Sequence, residues 1–258
     1  SCLLGIPTAF YLIKCGLVHQ LEHQIFGDYI PFIVLLTALF VITGGIHLSG
    51  DIKAKPIINT AFIALGWILA SFMGTTGAAM LLIRPLIDTN SQRKYKVHTM
   101  LFFIAAVANC GGLLTPLGDP PLLLLYLRGA SFTWFFNLLP MWAMTGALLL
   151  IIYFIWDSYM YKKEDWVNLS ADSREQRPIQ ITGKINFVFL IGVILSVAFI
   201  NADMLPAMAE EHAPWWLVYL REIVLISMII MSLLETKKEV REANKYSWRP
   251  IIEVAVVF

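Results

Sequence analysis

The chain has 258 residues, of which 58% are apolar and 14% charged, and its mean hydropathy is +0.71. With several runs of about 18 or more nearly uncharged residues, such a composition excludes an ordinary soluble domain and describes an all-α protein that crosses a membrane repeatedly. The net charge of +1 says little; no basic face with interleaved aromatics speaks for nucleic acid, and Cys2, Cys15 and Cys110 have neither metal-ligand nor disulfide spacing.

In chain order, apolar segments fall at about 1 to 18, 30 to 49, 57 to 72, 78 to 87, 99 to 109 with 121 to 127, 134 to 157, 185 to 201, 214 to 234 and from 250 onward. Residues 78 to 87 make a helix of only ~15 Å, half of the ~30 Å hydrocarbon core. Residues 57 to 87 are therefore predicted to form a re-entrant hairpin of two part-length helices, with Gly74-Thr75-Thr76-Gly77 at its tip. The same reasoning makes residues 99 to 127 one discontinuous span, its first half ending near Asn109 and its break running from Gly111 to Pro121. Because the chain opens inside one apolar run and stops inside another, it is expected to be part of a longer transporter.

Charge placement supports this layout. The loops 51 to 56, 88 to 98, 158 to 184 and 235 to 249 hold 15 of the 19 Lys and Arg residues, whereas the loops at about 19 to 29, 128 to 133 and 202 to 213 hold only Arg128. The positive-inside rule then makes the first set cytoplasmic and opens the hairpin toward that side. The 158 to 184 loop, with mixed charge, is predicted to be a solvated connector.

The chemistry concentrates in the broken span. Backbone leaves helical geometry at membrane depth only where protein or a water-filled cavity satisfies the freed groups, and an ionisable residue in such a gap is a functional candidate by default. Asp119 is that residue. A cation losing its hydration shell needs oxygen ligands, which Asp119, Asn109, Thr75, Thr76 and Thr115 can supply together with freed carbonyls. Gly74, Gly77, Gly111, Gly112 and Gly118 with Pro120 and Pro121 supply the irregular backbone. A bare carboxylate at membrane depth is disfavoured by roughly 2.5 to 3.5 kcal/mol, so Asp119 is expected to hold either a proton or a cation such as Na⁺, never both. The competing structural role for Asp119 is to cap the second half-helix.

Other signals are weaker. Arg84 is placed to pair with Asp88 or to snorkel, Asn59, Thr60 and Ser71 to pack helices, and Arg221-Glu222 to form an interfacial pair. His19-Gln20-Leu21-Glu22-His23 matches the H-x-x-E-H pattern of zinc peptidases, in which His19 and His23 would bind the metal and Glu22 act as base. It falls in a short loop and is read as solvated.

The pair Met73-Gly-Thr-Thr-Gly-Ala-Ala-Met-Leu-Leu-Ile-Arg-Pro85 and Asn109-Cys-Gly-Gly-Leu-Leu-Thr-Pro-Leu-Gly-Asp-Pro-Pro121 resembles the ion transporter superfamily, and within it the NhaD-like sodium/proton antiporters and the citrate transporter family. The resemblance implies two inverted repeats, each with a re-entrant hairpin and a broken helix, an elevator-like movement, a homodimer in the lipid bilayer, and no cofactor beyond Na⁺ as transported or coupling ion. It divides the chain into scaffold spans (1–56), a transport core (57–128), a span with its cytoplasmic loop (129–184) and the start of a second repeat (185–258). The dicarboxylate branch carries Ser-Asn-Thr at the hairpin tip; Gly74-Thr75-Thr76-Gly77 departs from it, whereas Gly118-Asp119-Pro120-Pro121 is similar to the antiporter branches. The implied activity is exchange of Na⁺ for H⁺ by a secondary carrier rather than an enzyme, with sodium-coupled transport of a small anion such as citrate or a dicarboxylate as the alternative.

Overall fold

The computed structural model describes residues 2–174, 177–202, 204–208, 210 and 213–257. The protein is a helical bundle with one short two-stranded sheet. Among the described residues, four helical runs are long and apolar enough to cross a membrane: Val18–Thr43, Pro56–Met73, Val97–Leu114 and Phe132–Tyr161.

After α1 (Cys2–Lys14), the first such run joins α2 (Val18–His23), a π turn at Gln24–Tyr29 and α3 (Ile30–Thr43). Residues 19 to 29, expected as a loop, are thus helical; Leu21 and Asp28, two turns apart, are half-buried on one face. Pro31 in the first turn of α3 has no N–H to give the preceding turn, and the wider π turn absorbs the mismatch. α3 is apolar all round and largely buried, as a central helix must be.

The apolar stretch does not stay helical to residue 49. Gly44-Gly45 ends α3 where a Cβ would strike the Tyr246 ring at 2.5 Å or the Asn186 amide at 2.6 Å, and the chain turns into β1 (His47–Asp51). β1 pairs antiparallel with β2 (Arg177–Thr182), His47 opposite Thr182 and Asp51 opposite Arg177, with a register shift between Ser49 and Asp51. The 158 to 184 segment is therefore more than a solvated connector. It contributes this strand and α9 (Trp166–Arg174), whose Asp172 carboxylate accepts the Ala54 N–H.

The hairpin consists of α4 (Pro56–Met73) and α5 (Thr75–Thr89), which pack along their length. At 1.5 Å per residue they extend about 27 and 22 Å, longer than the part-length helices expected. Thr75, Thr76 and Gly77 form the first turn of α5, so the tip is Gly74 alone. In the broken span, α6 (Val97–Phe103) continues through a π turn at Ile104–Asn109 and a 3₁₀ turn at Cys110–Leu114, and only residues 115 to 119 separate it from α7 (Pro120–Leu127). The break is thus narrower than Gly111 to Pro121, and its first half passes beyond Asn109. The change of pitch lets Gly111 lie against α4, where a Cβ would meet the Ala70 side chain and the Trp67 carbonyl at 2.8 Å.

A 3₁₀ turn at Phe132–Leu138 leads into α8 (Leu139–Tyr161), followed beyond the sheet by α10 (Ile185–Phe199), α11 (Trp215–Val218), α12 (Leu220–Glu235), α13 (Lys238–Ala243) and α14 (Arg249–Val257). The core joins α3 to the hairpin on one side and to α10 and α12 on the other. The four basic loops meet at one end of the bundle. β1 pairs β2, the backbone N–H groups of Lys94 and Tyr95 donate to Glu164, the Asn244 amide donates to the carbonyls of Gly44 and Ile46, and Arg241 donates to the Val41 carbonyl.

Candidate functional site

Both helix interruptions expose backbone groups that must find partners in a dry interior, and they find them in each other. Gly74 has φ +78°, which frees its side of α4 from the helical ladder. The Ser71 carbonyl accepts a short hydrogen bond from the Thr115 hydroxyl, and the Thr75 N–H donates to the Gly118 carbonyl at 3.0 Å. In return the Ser71 hydroxyl donates to the Gly111 carbonyl at 2.5 Å, which also accepts the Trp142 indole N–H at 3.0 Å. Gly118 passes so close to Gly112 that a Cβ there would overlap the Gly112 carbonyl.

Beside this interlock lies a cavity of about 110 Å³. Gly74, Thr75, Thr76 and Gly77 line it from the hairpin and Leu117, Gly118 and Pro120 from the break, while apolar side chains of α3 and α14 close it. No Lys, Arg or His lines it. The two motifs, 41 positions apart in sequence from Gly77 to Gly118, thus share one cavity wall.

The other candidate ligands occupy distinct environments. Thr115 is 1% exposed and its hydroxyl is committed to Ser71. Asn109 is exposed, and its amide donates to the Ile104 carbonyl at 3.0 Å within its own π turn. Asp119 is flanked by the cavity-lining residues Gly118 and Pro120 but does not itself line the cavity; it is half-buried and is the N-cap residue of α7. Its carbonyl accepts the N–H groups of Leu122 and Leu123, both at 3.1 Å, yet its carboxylate makes no capping bond. The reason is local. An N-cap side chain ordinarily accepts from the second or third helical N–H, but Pro121 has none and that of Leu122 is already given to the Asp119 carbonyl. The Pro-Pro pair therefore starts the helix while leaving the carboxylate unused. Among the described residues it has no ion pair or hydrogen bond.

The base of the hairpin holds a second polar cluster that the sequence reading did not identify. Asn59 and Asn90 exchange two amide hydrogen bonds, 2.8 and 2.9 Å, between the two arms, and both are fully buried. Asp157 of α8, also fully buried, lies 2.7 Å from the Arg93 guanidinium and 2.8 Å from His98 Nε2. Glu164 sits 3.7 Å from Arg93 while accepting the N–H groups of Lys94 and Tyr95. Of the cluster's members, Arg93 enters the sequence analysis only as one of the basic residues of the 88 to 98 loop, and His98 and Glu164 not at all. The signal available was Asp157, an acidic residue ending an otherwise uncharged span.

Arg84 and Asp88 of α5 form no ion pair with each other. Arg221 and Glu222 do pair, at 2.6 Å, mostly buried within the protein and with Arg221 over the Tyr126 ring of α7. His19, Glu22 and His23 are exposed on α2, and no group of three His, Cys, Asp or Glu residues suited to a metal ion occurs among the described residues. In the loops, burial pushes the Asp172 carboxyl up, against the pull of the Ala54 N–H.

Comparison with known proteins agrees with a membrane carrier. The sequence model of a family described as "Putative citrate transport" matches residues 1–258. The chain is 30% identical over 132 residues to the inner membrane protein YbiR of Escherichia coli (strain K12), a match covering 46% of this chain and 35% of that protein. No solved structure matches.

Proposed function

The chain belongs to the citrate transport family that matches its whole length, a family of membrane transporters, and from that premise we propose that it is part of a secondary carrier exchanging Na⁺ for H⁺. The observation that carries this reading is the partnerless carboxylate of Asp119 on the break. A carboxylate at membrane depth is retained when it binds something, and one that takes either a proton or a cation is the minimum for exchange. The Thr75 and Thr76 hydroxyls and the freed backbone at the tip complete an oxygen-rich half-site, with the basic loop end facing the cytoplasm.

The cavity's size and the lack of a cationic side chain in its lining weigh against an organic anion. A volume of about 110 Å³ holds a few waters at about 30 Å³ each, well below the roughly 300 to 1,000 Å³ of pockets for drug-sized ligands. The lining has no cationic side chain to meet a carboxylate. Sodium-coupled anion transport is the second reading, supported by the family's description.

The test is dye-monitored ΔpH in inverted vesicles from antiporter-deficient cells expressing the transporter. Sodium-dependent dissipation is expected and should vanish in Asp119→Asn; dissipation that survives this substitution removes Asp119 from the mechanism. Citrate-dependent sodium uptake without proton exchange would favour the second reading.

A further inference from the structure

Trp142 lies outside both motifs, on α8, yet it reaches the break. Its indole N–H donates to the Gly111 carbonyl at 3.0 Å, and the Ser71 hydroxyl occupies the other lone pair of that oxygen. The carbonyl is therefore saturated by protein and is a fixed point of the broken span rather than a cation ligand. The Trp142 ring is itself held. It stacks on Trp67 of α4 with centroids 3.8 Å apart and planes 16° apart, and both rings are at least nine-tenths buried. One turn further along α8, Gly146 leaves room for Trp67, since a Cβ there would overlap its ring. Between Gly111 and Asp119 the chain is anchored again at Thr115, onto α4, and at Gly118, onto α5.

We propose that Trp142 is a positioning residue for the ion site: by holding the Gly111 carbonyl it sets where the break, and with it Asp119, lies against the hairpin tip. This rests on the reading of the break as the cation site. Trp67 supplies an internal control. Its indole N–H has no hydrogen-bond partner among the described residues, so replacing either tryptophan by phenylalanine removes one N–H from the same stack, but only Trp142→Phe takes a donor from the Gly111 carbonyl and leaves it to Ser71 alone.

Two measurements on the full transporter, with Cys2 and Cys15 replaced by alanine, test the assignment. The first is the alkylation rate of the half-buried Cys110, adjacent to Gly111, by N-ethylmaleimide in membranes. The second is the sodium concentration for half-maximal ΔpH dissipation. Trp142→Phe is expected to raise the Cys110 rate about fivefold and the half-saturating sodium concentration about tenfold, a loss of about 1.4 kcal/mol, with the maximal rate within twofold. Trp67→Phe should leave both within twofold. Equal effects from the two variants, or none from Trp142→Phe, overturn the role of the indole–carbonyl bond. If the parent transporter shows no sodium-dependent exchange, the sodium/proton reading falls alone and the Cys110 rates decide the positioning role.

Discussion

The tip and the base of the hairpin meet the same requirement with different chemistry. At both ends helices stop in a buried setting and leave polar groups to be satisfied. At the base, charges answer charges: Asp157 faces Arg93 and His98, Glu164 caps two backbone N–H groups, and the Asn59–Asn90 pair closes the arms. At the tip the partners are neutral carbonyls, hydroxyls and an indole, and they satisfy one another, leaving the charged group beside them, Asp119, without a partner among the described residues. A buried charge held against opposite charges is a structural clamp. A carboxylate that the local backbone cannot use is available for chemistry.

Substitutions can break this contrast. Asp157→Ala strips the counter-charge from buried Arg93 and a hydrogen-bond partner from His98 and is expected to cost about 3 to 5 kcal/mol, seen as a large fall in the melting temperature of the detergent-solubilised protein. Asp119→Ala in the same assay should cost no more than about 0.5 kcal/mol, as for positions free of structural contacts; equal losses would erase the distinction between clamp and site. Gly118→Ala drives a methyl into the Gly112 backbone and is expected to cost about 1 to 3 kcal/mol as overpacking, with lost exchange beyond what reduced protein level explains. Ser71→Ala leaves the Gly111 carbonyl to Trp142 alone and should cost about 1 kcal/mol, again read by thermal melting.

The smallest effect is expected outside the hairpin. The Tyr246 hydroxyl is buried without a hydrogen-bond partner among the described residues, and burial pushes its phenol up to about 12. Tyr246→Phe should therefore be neutral or stabilising by up to about 1 kcal/mol near neutral pH. Above about pH 10 the unfolded chain ionises while the folded phenol keeps its proton until about pH 12, so the parent protein loses stability with rising pH that the Phe variant retains. A pH series of melting temperatures up to pH 11 checks the sign.

How much of this was legible beforehand varied with the kind of signal. The spans, the hairpin and the broken helix follow from hydropathy and from Gly and Pro placement, because these are local properties that lipid enforces strongly. The gathering of the four basic loops follows from charge counting. Boundaries were less secure. Thr75 to Gly77 resemble a loop in sequence, yet Thr75 donates to the Gly118 carbonyl, which lets α5 start at once. Strand β1 was hidden in an apolar run because its partner lies 130 residues on, in a segment read as solvated.

The sequence by itself determined that this is a multi-spanning helical membrane protein with two interrupted helical runs, one of them carrying Asp119 in its break, since composition and breaker residues act over a few positions. Only the tertiary structure decided what those interruptions do. Whether the Gly111 carbonyl is free or held, whether Asp119 caps or stands alone, and whether Asp157 is a stray charge or a clamp all depend on groups brought together from tens of residues away, and hydrogen bonding over about 3 Å leaves no periodic trace in the chain.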